Sequence, residues 1–284
     1  MSDAPQTTRP PGTSQPSHRV GGWVVLGIIA ATVVVGAIAA FRVDPFGSGG
    51  SGLSERFELQ TDDYTSVAPE LIGYREAAGC EIPLQNARAI AASGAGRVYV
   101  AGDQEVVVFD GEQPSATWPV DGEPSCIGVG SDLHLHPGRV YVGSGSRIHV
   151  LQPDGTSVGT WSEGLDDKSL LTSIAVGEES VYVADAGNRV VCRFDCEGGL
   201  LGKIGQPDPE RGVRGFVSPS PYFDVAVSPD GQIWVANPGA RRIENYAPEG
   251  DFQLAWGTAS AEVAGFFGCC NPANFAMFPD GRFV

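Results

Sequence analysis

The sequence predicts an all-β domain of repeated four-stranded sheets preceded by one apolar helix, and three observations predict it. Glycine (39) and proline (21) together exceed a fifth of the 284 residues, while charged residues make up only 18%. That balance belongs to short strands joined by tight turns. One apolar pattern recurs four times at intervals of 41 to 52 residues, and one stretch near the N-terminus runs for 22 residues without a charge.

Residues 1–19 are rich in Pro, Ser, Thr and Gln. They have too little apolar surface to offset the entropy of ordering, so a disordered tail is expected. Val20 to Phe41 is the uncharged stretch; at 1.5 Å per residue it matches the roughly 30 Å hydrocarbon core of a bilayer, which predicts a transmembrane helix over 20–41. Trp23 and Phe41 suit the two interfaces. Arg9, His18 and Arg19 precede the span with only Asp3 opposing them, so the N-terminus is expected in the cytoplasm and the remainder outside it. Ala37-Ile38-Ala39 also fits a small-x-small cleavage site, the competing reading being a cleaved signal peptide. Residues 42–56 contain Gly47-Ser48-Gly49-Gly50-Ser51-Gly52, a flexible linker. The folded domain is then expected over 57–284.

Charge narrows the partners. Net charge is −16; the segment through Arg42 holds three arginines against Asp3, so the rest carries 15 basic and 33 acidic residues, a net −18. A surface of that sign repels phosphates and anionic headgroups, which excludes nucleic acid as a partner of the domain. Membrane contact falls to the helix.

The repeat is a small-apolar run, a Gly-containing turn, an aromatic flanked by valine-like residues, then a second apolar strand. Its first two copies run through Ala89-Ile90-Ala91, Tyr99 and Val106 to Asp110, then Ile127-Gly128-Val129, Tyr141 and Ile148 to Val150. The third and fourth run through Ile174-Ala175-Val176, Tyr182 and Val190 to Asp195, then Val225-Ala226-Val227, Trp234 and Ile243 to Tyr246. The aromatics at 99, 141, 182 and 234 are spaced by 42, 41 and 52 residues. That length is one four-stranded blade of a β-propeller, with an insertion before the fourth.

Val181-Tyr182-Val183-Ala184-Asp185-Ala186-Gly187-Asn188-Arg189-Val190 and Ser228-Pro229-Asp230-Gly231-Gln232-Ile233-Trp234-Val235-Ala236-Asn237 resemble NHL repeats. The resemblance covers roughly Asn86 onward and implies a propeller that is usually six-bladed. A fifth unit begins at Asn274 and the chain stops inside it, at Val284. A C-terminally incomplete propeller is therefore expected, with Phe57–Tyr74 as the alternative source of the missing strands.

Six cysteines, Cys80, Cys126, Cys192, Cys196, Cys269 and Cys270, form an even count that reads first as disulfides in an exported domain. The sharper alternative is a four-thiolate metal site from Cys192, Cys196, Cys269 and Cys270. His134 and His136 alternate in what reads as a strand near Asp132, a two-histidine metal seed without a third ligand; the structural reading is preferred. Within propellers of this general kind, the amidating-lyase branch needs several histidines, more than this domain holds. The senescence-marker and gluconolactonase branch uses Glu, Asn and Asp around a central divalent ion, a role for which Asp224, Asn237 and Asn274 are candidates; as strand-end residues they read equally as turn formers. Residues 219–224 lengthen the approach to the fourth blade as a contact loop.

No phosphate loop, serine elbow or metalloprotease motif is present. The resemblance and this lack of motifs favour a binding or scaffolding module for a protein, peptide or glycan, with no cofactor required. The alternative is a propeller enzyme or redox protein, lactonase-like or dependent on a divalent metal or the cysteines.

Overall fold

Runs of β-branched residues around a buried aromatic pair into four separate sheets in the computed structural model, which describes residues 22–42, 69–73, 79–210, 214–219, 221–261, 265–278 and 280–284. The expected tail 1–19, Val20, the linker after Arg42 and residues 57–68 lie outside the described residues. The chain divides into two compact units, Met1–Arg75 and Glu76–Val284.

In the first unit the uncharged stretch forms one continuous helix, α1 (Gly22–Arg42). Among the described residues no helix is long and apolar enough to cross a membrane. The helix expected over 20–41 thus forms from Gly22, without the length and apolarity, among the described residues, of the transmembrane span that was expected there. Its described apolar side chains are exposed, from Val24 at 55% to Val35 at 66%.

In the second unit each repeat is one antiparallel sheet whose strands pair in chain order. The first blade comprises β1 (Ala87–Ala92), β2 (Val98–Gly102), β3 (Glu105–Asp110) and β4 (Gln113–Pro119). The second comprises β5 (Pro124–Val129), β6 (Val140–Ser144), β7 (Arg147–Leu151) and β8 (Ser157–Trp161). The third comprises β9 (Leu171–Val176), β10 (Ser180–Asp185), β11 (Val190–Asp195) and β12 (Leu200–Ile204). The fourth comprises β13 (Val225–Val227), β14 (Ile233–Asn237), β15 (Arg242–Tyr246) and β16 (Phe252–Trp256). The fifth unit begins as a hairpin in which Ala276 and Val284 exchange both backbone hydrogen bonds and Met277 faces Phe283.

First strands touch in succession, β1 with β5, β5 with β9 and β9 with β13, so the sheets share an inner edge and fan outward. Second strands are buried on both faces, β6 and β10 completely so, which is why they read as unbroken apolar runs rather than alternating ones. The apolar clusters lie between blades. One joins Tyr99 and Trp118 to Val140 and Leu151, the next Tyr141 and Ile148 to Leu171 and Phe194, and the third Tyr182 and Ile204 to Phe223 and Tyr246. Each fully buried aromatic or aliphatic there contributes about 2–3 kcal/mol, and only when its neighbouring blade is present.

The joint between blades repeats one device. Trp118, at the end of β4, lies against Gly155 in the last hairpin of the second blade, and Trp161, at the end of β8, against Gly198 in that of the third. A Cβ on Gly155 or Gly198 would stand 2.4 Å from the indole. Both glycines also have positive φ, +88° and +97°, where a side chain is strained in any case. The insertion before the fourth blade is packed rather than loose: Phe216 and Phe223 are buried with ring centroids 5.1 Å apart. Tyr222, within the expected contact loop, is exposed.

Candidate functional site

First strands end on one face of the fan, and the segments that follow them enclose a cavity of about 750 Å³. Every unit supplies part of its wall: Ala92 from the first, Leu133 from the second, Glu178 from the third, Ser228 from the fourth and Met277 from the fifth. Glu178, Glu179 and Glu249 line it with Arg193 as the one basic lining residue, and all three glutamates are exposed. Arg193 is fixed by its Nε–H donating to Ser180 Oγ (3.1 Å), and Tyr182 donates its hydroxyl hydrogen to Pro248 O (3.4 Å). The rim is therefore ordered and carries an excess of negative charge, which attracts cations into a concave site.

His134 braces this rim instead of holding a metal. The sequence places it in a strand, but the structure makes 131–138 a turn region, because Ser131, Pro137 and Gly138 break the alternation. His134 is buried, with Nδ1 2.7 Å from Gly177 O and Nε2 2.8 Å from the Tyr141 hydroxyl. Nδ1–H thus donates to the carbonyl and Nε2 accepts from the tyrosine, leaving no lone pair for a ligand. Burial holds its pKa below the usual imidazole value. His136 lies 3.0 Å from Glu197 Oε1, while Asp132 is exposed. Leu135 N–H donates to Glu178 O and Arg139 Nη1–H to Cys196 O, which ties the second blade to the third. His149, on β7, lines a separate groove of about 620 Å³ beside the Asp121–Arg147 ion pair.

At the opposite ends of the first strands stands Asp224. Its Oδ1 accepts Val225 N–H and its Oδ2 accepts Phe275 N–H, both at 2.9 Å. Burial pushes its pKa above the usual carboxylate range, opposed by a hydrogen bond from Ser173. Asn237 is fully buried, accepting Val217 N–H and donating to Glu244 Oε1 within its own blade. Asn274 is exposed. The side chains of Asp224 and Asn237 are thus bonded to backbone and blade. Among the described residues no group of three or more His, Cys, Asp or Glu is placed to hold a metal.

All six cysteines are free thiols in the structure. Cys126 (β5) and Cys192 (β11) belong to the same apolar cluster, and burial pushes their thiols up to about 12 and about 11. Cys196 is buried in the turn after β11, Cys80 is exposed, and Cys269 and Cys270 sit together in a loop with their sulfurs 3.2 Å apart. The structure keeps these last two separate from the Cys192 and Cys196 segment.

Sequence reasoning missed the latch that follows the second strand in the first, third and fourth blades. Asp185 Oδ1 accepts Leu170 N–H (2.9 Å) and Asn188 N–H (3.1 Å), while Oδ2 accepts Ser169 Oγ–H (2.7 Å) and Asn188 Nδ2–H (2.9 Å). Asn237 does the same for Val217, and Asp103 for Gln85 and Asn86 in the first blade. A small acidic or amide residue three or four positions after Tyr99, Tyr182 and Trp234 was the available signal; after Tyr141 the corresponding positions hold Ser144 and Gly145.

This geometry defines a β-propeller. No family model and no curated protein matches the chain. Among solved structures, a catalytically inactive virginiamycin B lyase from Staphylococcus aureus with quinupristin is similar at a TM-score of 0.50 and 15% identity, over 65% of this chain and 60% of that one. Kuenenia stuttgartiensis hydrazine synthase is similar at 0.50 and 15%, over 74% and 57%. At such identities the likeness shows the fold, and this chain spans less than two thirds of either protein.

Proposed function

We propose that the chain is a membrane-tethered, extracytoplasmic propeller of the NHL kind whose acidic mouth binds a cationic segment of a protein or peptide. The observation that carries this reading is the five-unit cavity with three glutamates against one arginine. Its three glutamates stand on turns, which can vary without disturbing the sheets. Tethering is supported by α1: at about 100° per residue, exposed Val24, Leu26, Ile28, Ile29, Val33, Val34 and Val35 fall on every side of the helix, a pattern suited to lipid rather than to one packing partner.

The test is binding of a fluorescent oligolysine peptide to the full chain in detergent, followed by anisotropy. Wild type should bind with an affinity that falls as salt rises, and the triple variant Glu178→Gln, Glu179→Gln, Glu249→Gln should bind roughly tenfold more weakly. Unchanged binding by the triple variant would refute the assignment, and preference for a neutral glycan would replace the ligand class.

A second reading, a propeller enzyme, is favoured by Asp224, a largely desolvated carboxyl with a raised pKa at the inner edge of the fan. Hydrolysis of a lactone panel by wild type, abolished in Asp224→Asn, would put it ahead.

A further inference from the structure

Cys269 and Cys270 differ from the other cysteines in geometry, each having a partner sulfur within reach at a site open to solvent, and access is one of the factors on which thiol exchange depends. Their sulfurs lie 3.2 Å apart, close enough to share a hydrogen bond, and Cys269 is exposed while Cys270 is partly so. Cys126, Cys192 and Cys196 are buried, and Cys80, though exposed, belongs to a distant part of the sequence. The loop is held on both sides. Phe266 N–H donates to Thr258 O (2.8 Å) and its ring meets Trp256 edge to face; on the far side Phe275 is held by Asp224. Beside the pair is a groove of about 450 Å³ that Cys269 lines with Arg241, Phe266 and Phe267. Arg241 and Phe267 are exposed there, so an anionic thiol compound meets a cation and an apolar wall at the reactive sulfur.

We propose that Cys269 and Cys270 form a vicinal dithiol that exchanges with low-molecular-weight disulfides and closes to an intrapair disulfide. The Cys269 thiolate attacks one sulfur of a small disulfide, expelling the other half as a thiolate that takes up a proton and leaving a mixed disulfide on Cys269. The Cys270 thiolate then attacks the Cys269 sulfur and expels the second small thiol. The protein pair loses two electrons and two protons, and the small disulfide, as oxidant, becomes two thiols. A resolving thiol next to the attacking one makes the second step intramolecular, so the mixed disulfide does not accumulate. The buried cysteines cannot be reached, and Cys80 has no neighbour in sequence to resolve it.

The test uses the full chain carrying Cys80→Ser, with oxidised glutathione, a free-thiol count and peptide mapping by mass spectrometry. The expected result is loss of two thiols, a linked Cys269–Cys270 peptide and no retained glutathione. Cys270→Ser should stop with glutathione on Cys269, and Cys269→Ser should react at least about tenfold more slowly, because it lacks the accessible attacking sulfur. Because a serine variant can fold poorly, the unsubstituted pair is also treated with phenylarsine oxide. One equivalent should join both sulfurs to arsenic with release of water and block the oxidation. Retained glutathione on the unsubstituted pair, equal rates for Cys269→Ser and wild type, or failure of one equivalent of arsenical to protect both thiols would each overturn the proposal.

Discussion

Replacing Asp185 tests whether the latch holds a blade closed. The carboxylate is fully buried and accepts four hydrogen bonds. In Asp185→Ala the Asn188 side chain keeps Asp166 Oδ1 and Ser169 Oγ as partners, so the donors left without an acceptor are the amides of Leu170 and Asn188 and the Ser169 hydroxyl, which can rotate toward water. A donor stripped of its partner costs about 1–3 kcal/mol, which puts the loss at about 3 kcal/mol for two partly buried amides. In a domain of this size that lowers Tm by about 6–12 °C. Asp185→Asn separates the contributions, because both amides bond to the same oxygen, Oδ1. An asparagine keeps that oxygen and loses only the Oδ2 contacts, so about 1 kcal/mol is expected. Urea unfolding followed by fluorescence of Trp161, which packs against Phe194 of the same blade as Asp185, reads both. If Asp185→Asn is as damaging as Asp185→Ala, or Asp185→Ala costs under about 1 kcal/mol, the latch account fails.

Further outcomes are expected at Asp224, His134 and two glycines. Asp224 has a folded-state pKa raised by burial, so the folded form binds its proton more tightly and stability falls as pH rises from the unfolded carboxyl value through the folded one; Asp224→Asn should flatten that limb of a stability–pH profile measured by urea melts. His134 has the opposite sign: its pKa is depressed, so stability is lost as pH falls through the unfolded imidazole value, and His134→Gln should remove that loss in the same assay. His134→Ala should cost about 2–4 kcal/mol, since it leaves a cavity and takes the acceptor from the buried Tyr141 hydroxyl. Gly198→Ala should cost about 2–4 kcal/mol from positive φ and the clash with Trp161, whereas Gly231→Ala, also at positive φ but in open space, should cost about 1 kcal/mol in thermal melts.

The second and third strands were the most legible part of the fold. Val-Tyr-Val at 98–100, 140–142 and 181–183 is compressed between neighbouring sheets, so its apolar character is continuous. The outer strands were harder: β4 and β16 are largely solvent-exposed, and exposure removes the apolar signal. His134 misled by alternation alone, although Gly130 marks the close approach of its ring, where a Cβ would stand 2.6 Å from the imidazole. The mouth was not legible, since Glu178 and Glu249 meet across 71 residues of chain and no local spacing encodes that. The insertion was read as a loop because Phe216 and Phe223 show no period; their burial depends on Tyr246, which lies beyond them in sequence. The cysteine pair was visible as a dipeptide, but its shared sulfur contact was not.

The Trp–Gly joint gives the array a polarity. A projecting indole on one blade enters a hollow on the next, so the two sides of a blade are complementary to each other and not to themselves. Interfaces of that head-to-tail kind close only when the rotation at each joint divides a full circle; otherwise they wind into an open spiral. Blade number is thus an angular property, distributed over joints such as Trp118–Gly155 and Trp161–Gly198. A side chain that shifted one indole would change the angle at that joint, and the change would carry to the blades beyond it.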